Sequence, residues 1–142
     1  MTNAHNGTGL DTVSAFADSP NGSLTSIGAS PHADQQTAPC WMVISPDGQY
    51  LFAVNAGSGT ISRYAIGVGG QLRLLGSTNV SATAGVGAVD PGLSPGGQYL
   101  YVNESRVDSV GSFAVSNGNL TELPSSPVAL PAGATPAGIA VS

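Results

Sequence analysis

Lysine is absent from this 142-residue chain, and its only cations are Arg63, Arg73 and Arg106, against eight Asp and Glu residues. The formal net charge is −5. Nucleic-acid binding needs a basic footprint that displaces phosphate counterions, so no nucleic-acid partner is expected. Attraction to anionic lipid headgroups is excluded for the same reason. No apolar run approaches the roughly 18 residues that cross a bilayer as a helix, so no membrane partner is expected either. Cysteine occurs once, as Cys40, which rules out an internal disulfide and a multi-thiolate metal site. Histidine occurs twice, at His5 and His32. Two His and one Cys would meet the three or four ligands of a zinc site only by chance geometry, so neither metal nor cofactor is expected. Residues 1–5, Met-Thr-Asn-Ala-His, have no charged n-region and no apolar h-region, so they do not read as a signal peptide. Low charge with abundant Asn, Ser, Thr and Gly leans toward an exported parent protein. Five Asn-x-Ser/Thr sequons, starting at Asn6, Asn21, Asn79, Asn103 and Asn119, would matter only in a eukaryotic secretory route.

What the chain has instead is 20 Gly, 10 Pro and 41% hydrophobic residues. That is too apolar for a disordered chain and fits short strands between frequent turns. No window shows sustained helical spacing, so essentially no helix is expected.

One stretch organises the rest. Ser45-Pro46-Asp47-Gly48-Gln49-Tyr50-Leu51-Phe52 returns as Ser94-Pro95-Gly96-Gly97-Gln98-Tyr99-Leu100-Tyr101. Proline presets φ at the second turn position, the following Gly takes φ > 0 without steric cost, and the aromatic run leaves the turn as a strand. Val13-Ser14-Ala15-Phe16-Ala17, Ile61-Ser62-Arg63-Tyr64-Ala65 and Val110-Gly111-Ser112-Phe113-Ala114 align with the same period. After each comes Gly22, Gly70 or Gly118, and then Leu24, Leu72 or Leu120.

A unit of about 48 residues with four short strands is the size of a propeller blade. The expected architecture is all-β: a single partial β-propeller over 1–142, built of four-stranded antiparallel blades. Strands A to D fall at 39–45, 49–55, 59–66 and 71–78 in one blade. In the next they fall at 88–94, 98–103, 108–115 and 119–124. A half blade precedes them (11–28, with C 11–17 and D 23–28), and a lone inner strand follows at 136–142. Propellers close rings of typically four to eight blades, and an arc of this size leaves blade flanks bare. The expected partners are therefore the rest of a longer propeller, or copies of the chain, meeting those flanks.

Ala38-Pro39-Cys40-Trp41, the Ser-Pro-Asp-Gly-Gln-Tyr-Leu-Phe hairpin and Asn55-Ala56-Gly57-Ser58-Gly59-Thr60-Ile61-Ser62 resemble the lactonase-like seven-bladed propellers. That family includes the propeller type of 6-phosphogluconolactonase and the YVTN-repeat proteins. Thr2-Asn3 is similar to the end of a YVTN strand. Leu130-Pro131-Ala132-Gly133-Ala134 followed by Gly138-Ile139-Ala140 is similar to the way such chains finish. The resemblance covers essentially the whole chain and implies the C-terminal two to three blades of such a protein. The activity it implies is hydrolysis of sugar lactones. Two departures weigh against that activity in this segment. Family members tend to carry His after the Pro that opens strand A, where this chain has Cys40, Pro91 and Ala137. They also tend to carry Asp near the B–C loop, where residues 55–59 hold no acid.

The D–A connections (29–38, 79–87 and 125–135) and the B–C loops emerge on one side of such blades. Long loops on a rigid scaffold are where binding residues concentrate, so this is the candidate functional face. It would gather His32, Asp34, Cys40, Trp41, Asp90, Glu104, Arg106 and Asp108. Glu104 and Arg106 are the catalytic candidates, as a general acid or base beside a cation that holds an anion. The plainer alternative is a loop ion pair. His32, Asp34, Trp41, Asp90 and Asp108 are the ligand-binding candidates. Against that, a lone loop His is commonly just exposed, and a lone Trp at a strand start commonly packs between blades. Cys40, with no local base or cation, reads as an inert thiol. The expectation is a binding or scaffold segment, non-catalytic on its own, with lactone hydrolysis in a completed ring as the alternative and a small molecule as a possible ligand.

Overall fold

Frequent Pro/Gly turns break the chain into short antiparallel strands, and the computed structural model describes residues 1–5, 7–80 and 87–142 of them. In the first unit β1 (Thr2–Asn3) pairs with β2 (Thr12–Val13), and β2 pairs with β5 (His32–Ala33). β3 (Phe16–Asp18) pairs with β4 (Leu24–Ser26). The second unit is a four-stranded meander, β6 (Pro39–Ile44), β7 (Tyr50–Asn55), β8 (Thr60–Ile66) and β9 (Leu72–Asn79). The third repeats it as β10 (Ala88–Leu93), β11 (Tyr99–Glu104), β12 (Ser109–Ser116) and β13 (Asn119–Glu122), and β14 (Val128–Ala129) returns to pair with β12. The only helical turn among the described residues is a 3-10 turn at Val68–Gly70. The all-β, four-stranded expectation is what the chain forms.

Both Ser-Pro turns close as their sequences dictate. Ser45 Oγ accepts the Tyr50 N–H at 2.9 Å, and Asp47 Oδ1 accepts the Gln49 N–H at 3.0 Å. Gly48 and Gly97 both sit at φ 71°, a conformation that glycine alone adopts freely. The two turns line one cavity of about 560 Å3, so they share a face of the molecule. Register then matches blade for blade: Leu51 lies opposite Tyr64, and Leu100 opposite Phe113. The main core fills the space between the second and third units with Phe52, Val54, Ile61, Val80, Ala88, Leu100, Val102 and Phe113. A smaller cluster of Val13, Leu51, Ala53 and Tyr64 joins the first unit to the second.

Two details differ from the expected strands. The strand expected over 11–17 is interrupted at Ser14-Ala15, where the Ala15 N–H donates to Ser30 Oγ at 3.0 Å. The third unit makes the same hydrogen bond, the Ser112 N–H on Ser126 Oγ at 2.9 Å, within an unbroken β12. The lone strand expected at 136–142 forms no ladder. The Ile139 N–H donates to Asp90 Oδ2 at 2.7 Å, while Val141 and Ile139 lie over Gly92 where a Cβ would clash. First strands β6 and β10 form their ladders with the second strands β7 and β11 of their own units, and no such strand lies beside 136–142 among the described residues. Part of the expected 79–87 connection (81–86) lies outside the described residues.

Candidate functional site

The face carrying the B–C and D–A loops is built by a repeated use of backbone and carboxylate. The residue entering each first strand takes a left-handed conformation: Ala38 at φ 55°, Gly87 at φ 67° and Thr135 at φ 41°. Such a backbone is strained for Ala and Thr, so something must hold it. In the third unit Asp108 does so: its carboxylate accepts the Gly133 N–H at 2.6 Å and the Thr135 N–H at 2.8 Å. In the first unit Asp11 accepts the N–H groups of Ala38 and His5. The main-chain carbonyls of Asp11, Gly59 and Asp108 accept the N–H groups of Asp34 (2.9 Å), Val80 (2.9 Å) and Leu130 (2.7 Å) respectively. The middle unit therefore has the carbonyl contact but, with Gly59, no carboxylate. Replacing Asp108 by alanine should free the 130–135 turn and lower stability by about 1 kcal/mol. Hydrogen exchange reads this directly: the Gly133 and Thr135 amides speed up in the variant by a larger factor than the β11 amides, which follow global stability alone.

Asp34 occupies the junction of the first two units and is buried. Its Oδ1 accepts the Tyr64 hydroxyl at 2.7 Å, and its Oδ2 has no partner among the described residues. Burial pushes its pKa up, hydrogen bonds from Ser62 and Tyr64 pull it down, and the charge of Asp11 pushes it up further. Burial, then the hydrogen bond to Asp34 and its charge, drives the Tyr64 phenol well above its ordinary range. The network continues through Asn55, whose Nδ2 donates to Ser62 Oγ (2.9 Å) and Thr60 Oγ1 (3.0 Å). Thr60 Oγ1 in turn donates to Gln36 Oε1 at 2.8 Å. His32 Nε2 is buried beside this region without a hydrogen-bond partner among the described residues. Tyr64→Phe leaves Asp34 without its short hydroxyl donor, and a loss of about 1–3 kcal/mol is expected in urea unfolding.

Glu104 stands where the other blades carry asparagine. Asn3 lies opposite Thr12, Asn55 opposite Thr60 and Glu104 opposite Ser109. Asn3 bridges Thr12 and Ser14 as Asn55 bridges Thr60 and Ser62. In the third unit the second hydroxyl is replaced by Gly111, whose missing side chain leaves room for the carboxyl: a Cβ there would come within 2.9 Å of Oε1. Glu104 Oε2 accepts from Ser109 Oγ, and Oε1 has no partner among the described residues. Burial raises its pKa, the Ser109 hydrogen bond lowers it, and the charge of Glu122 raises it.

Arg106 is exposed on the following loop, and neither Glu104 oxygen has it as a hydrogen-bond partner. The two catalytic candidates thus make no direct hydrogen bond to each other. The other candidates also spread out. Asp90, at φ 36° in the β10 bulge, holds the 136–142 segment, and Asp108 holds the turn before it. Trp41 is 48% exposed on β6, just after a bulge. Cys40 is half-buried, with its thiol directed to the Ala38 carbonyl at 3.5 Å and its own carbonyl accepting from Thr2 Oγ1 at 2.9 Å. Among the described residues no three His, Cys, Asp or Glu side chains are grouped to hold a metal ion. Asp11 is the residue the sequence reading missed. Its signal was its position, since Asp11, Gly59 and Asp108 recur with the blade period.

The profile of the family described as lactonase, 7-bladed beta-propeller, matches residues 2–140. The chain belongs to this family. A solved protein of Lactobacillus plantarum is 26% identical to this lactonase-family chain, with a TM-score of 0.72, over 91% of this chain and 40% of its own. A candidate 6-phosphogluconolactonase of Bacteroides uniformis is 28% identical, with a TM-score of 0.61, over 78% and 33%. The periplasmic gluconolactonase of Pseudomonas aeruginosa is 25% identical, with a TM-score of 0.67, over 82% and 33%. The lactonase-family chain thus spans 40% or less of the length of these structures. No curated protein matches it in sequence.

Proposed function

We propose that this chain is a binding or scaffold segment of a lactonase-type propeller and is non-catalytic on its own. One observation carries the reading. The carboxylates of the loop face serve the fold: Asp11, Asp90 and Asp108 hold backbone N–H groups, and Asp34 and Glu104 each hold a buried hydroxyl through one oxygen while the other is buried away from the surface. A general acid or base must reach the proton it transfers, and a nucleophile needs an adjacent activating base. Carboxylates used as loop staples and buried hydrogen-bond acceptors serve shape. Its partners are further blades, or copies of itself, laid against the exposed flanks. The second reading, hydrolysis of sugar lactones in a completed ring, draws on the gluconolactonase names among similar structures.

The test is a pH-stat assay of the 142-residue chain on gluconolactone and on 6-phosphogluconolactone. No rate above buffer is expected from the wild type. A saturable rate that Glu104→Gln or Arg106→Ala abolishes would overturn the reading.

A further inference from the structure

The carboxylates of the loop face serve the fold, but at the opposite ends of the same strands the polar side chains are uncommitted. There the two Ser-Pro turns and the turn joining β12 to β13 enclose the cleft of about 560 Å3. β7 runs from Tyr50 at this cleft to Asn55 at the loop face, a rise of about 17 Å. Both walls belong to complete four-stranded units.

Local chemistry shapes the walls. Asn117-Gly118 makes a two-residue hairpin turn at φ 49° and 73°, the left-handed pair that Asn-Gly takes readily. Two glycines then bring the walls together. A Cβ on Gly97 would lie 2.7 Å from Pro46 Cδ, and one on Gly118 would overlap the Tyr50 ring. Arg63 adds a third tie, donating to the Gly118 carbonyl at 3.2 Å and to Asn119 Oδ1 at 2.7 Å. A cleft held at three points needs little ordering when a ligand binds.

The main-chain carbonyls of Gln49 and Gln98 are taken by the Ile66 and Val115 N–H groups, at 2.8 Å each. Their side-chain amides, and that of Asn117, are exposed in the cleft without a hydrogen-bond partner among the described residues. Asp47 uses Oδ1 for the Ser45 hydroxyl and the Gln49 N–H, which leaves Oδ2 to solvent. Those two bonds lower its pKa, so it is a carboxylate at neutral pH. The third unit has Gly96 in its place, so the charge is single. The described residues lining the cleft include no Arg, Lys or His.

We propose that this cleft is a binding site for a neutral saccharide. Each of the three amides offers donors and an acceptor, which matches the vicinal hydroxyls of a sugar. The free Asp47 oxygen accepts from one hydroxyl more, in a charge-assisted bond. Pro46, Tyr50 and Val115 supply apolar surface for the CH groups. The volume lies within the roughly 300–1,000 Å3 of small-molecule sites. A carboxylate with no cation beside it repels phosphate and carboxylate substituents, which excludes phosphorylated and acidic sugars. The site is separate from the loop face and stands whether or not a completed ring hydrolyses lactones.

The experiment is a heteronuclear NMR titration of the full 142-residue chain with maltose, cellobiose and dextran, and with 6-phosphogluconate as the anionic control. Saturable shifts of the Gln49, Gln98 and Gly118 amides, with a Kd on the order of 1 mM, are expected for a neutral probe and none for the anion. Saturation by a disaccharide assigns a free sugar, and saturation by dextran alone assigns a glycan chain. Gln49→Ala combined with Gln98→Ala should weaken binding about tenfold. The fold uses neither side chain, so the rest of the variant's spectrum should match the wild type. Three results overturn the proposal: no saturable shift with any neutral probe, equal binding of 6-phosphogluconate, or shifts centred on Asp34 and Glu104 at the loop face.

Discussion

Replacing Phe113 by alanine should lower the unfolding free energy by about 3–5 kcal/mol, one of the two largest effects expected in this chain. Phe113 is wholly buried and sits in the cluster that joins the second and third units, directly opposite Leu100. Neighbours on rigid strands relax little, so the deletion adds a cavity to the lost transfer energy. Phe16 holds the same repeat position yet is exposed, and Phe16→Ala should lower stability by no more than about 1 kcal/mol. Urea unfolding of the two variants with unchanged m-values checks the pair. Similar losses at the two sites would contradict the packing described here.

Glu104→Gln should raise stability at neutral pH and flatten the pH dependence. The sign follows from burial, which raises the folded-state pKa of Glu104 above that of the unfolded chain. Between those two values the folded state holds a proton that the unfolded state has released. Stability is therefore full below the unfolded pKa and falls as pH rises toward the folded one, by about 1.4 kcal/mol per unit of separation. Glutamine keeps an oxygen for Ser109 and never has to charge. Asp34 has the same sign and leaves a residual slope in the variant. Asp47, whose pKa the Ser45 and Gln49 hydrogen bonds lower, acts oppositely and loses its contribution as pH falls. Urea midpoints for wild type and variant between about pH 4 and 8 make the comparison. Parallel curves would mean that Glu104 is not desolvated in the folded chain.

The hairpins were legible because their causes are local. Pro46-Asp47-Gly48 and Pro95-Gly96-Gly97 encode their turns within three residues, and strand register follows from the turn. The Asn-to-Glu exchange at position 104 was also visible, since Asn55 and Glu104 stand at the period of Tyr50 and Tyr99. Its meaning was not. Acid beside cation in Glu104-Ser105-Arg106 suggested a pair, but a strand end and its loop send neighbouring side chains to different environments. The 136–142 segment misled for a related reason. Its residues repeat those of a first strand, yet β6 and β10 form their ladders with β7 and β11, and 136–142 has no such second strand beside it among the described residues.

The sequence by itself therefore determined the blade: its period, its turns, its strand order and its all-β class, each set by contacts within a few residues. Only the tertiary structure decided what the ionisable groups do. Asp11, Asp90 and Asp108 meet backbone N–H groups 27, 49 and 27 residues away, and Asp34 meets a hydroxyl 30 residues away. A carboxylate's role depends on which donors reach it and whether water does. Both are properties of how blades stack.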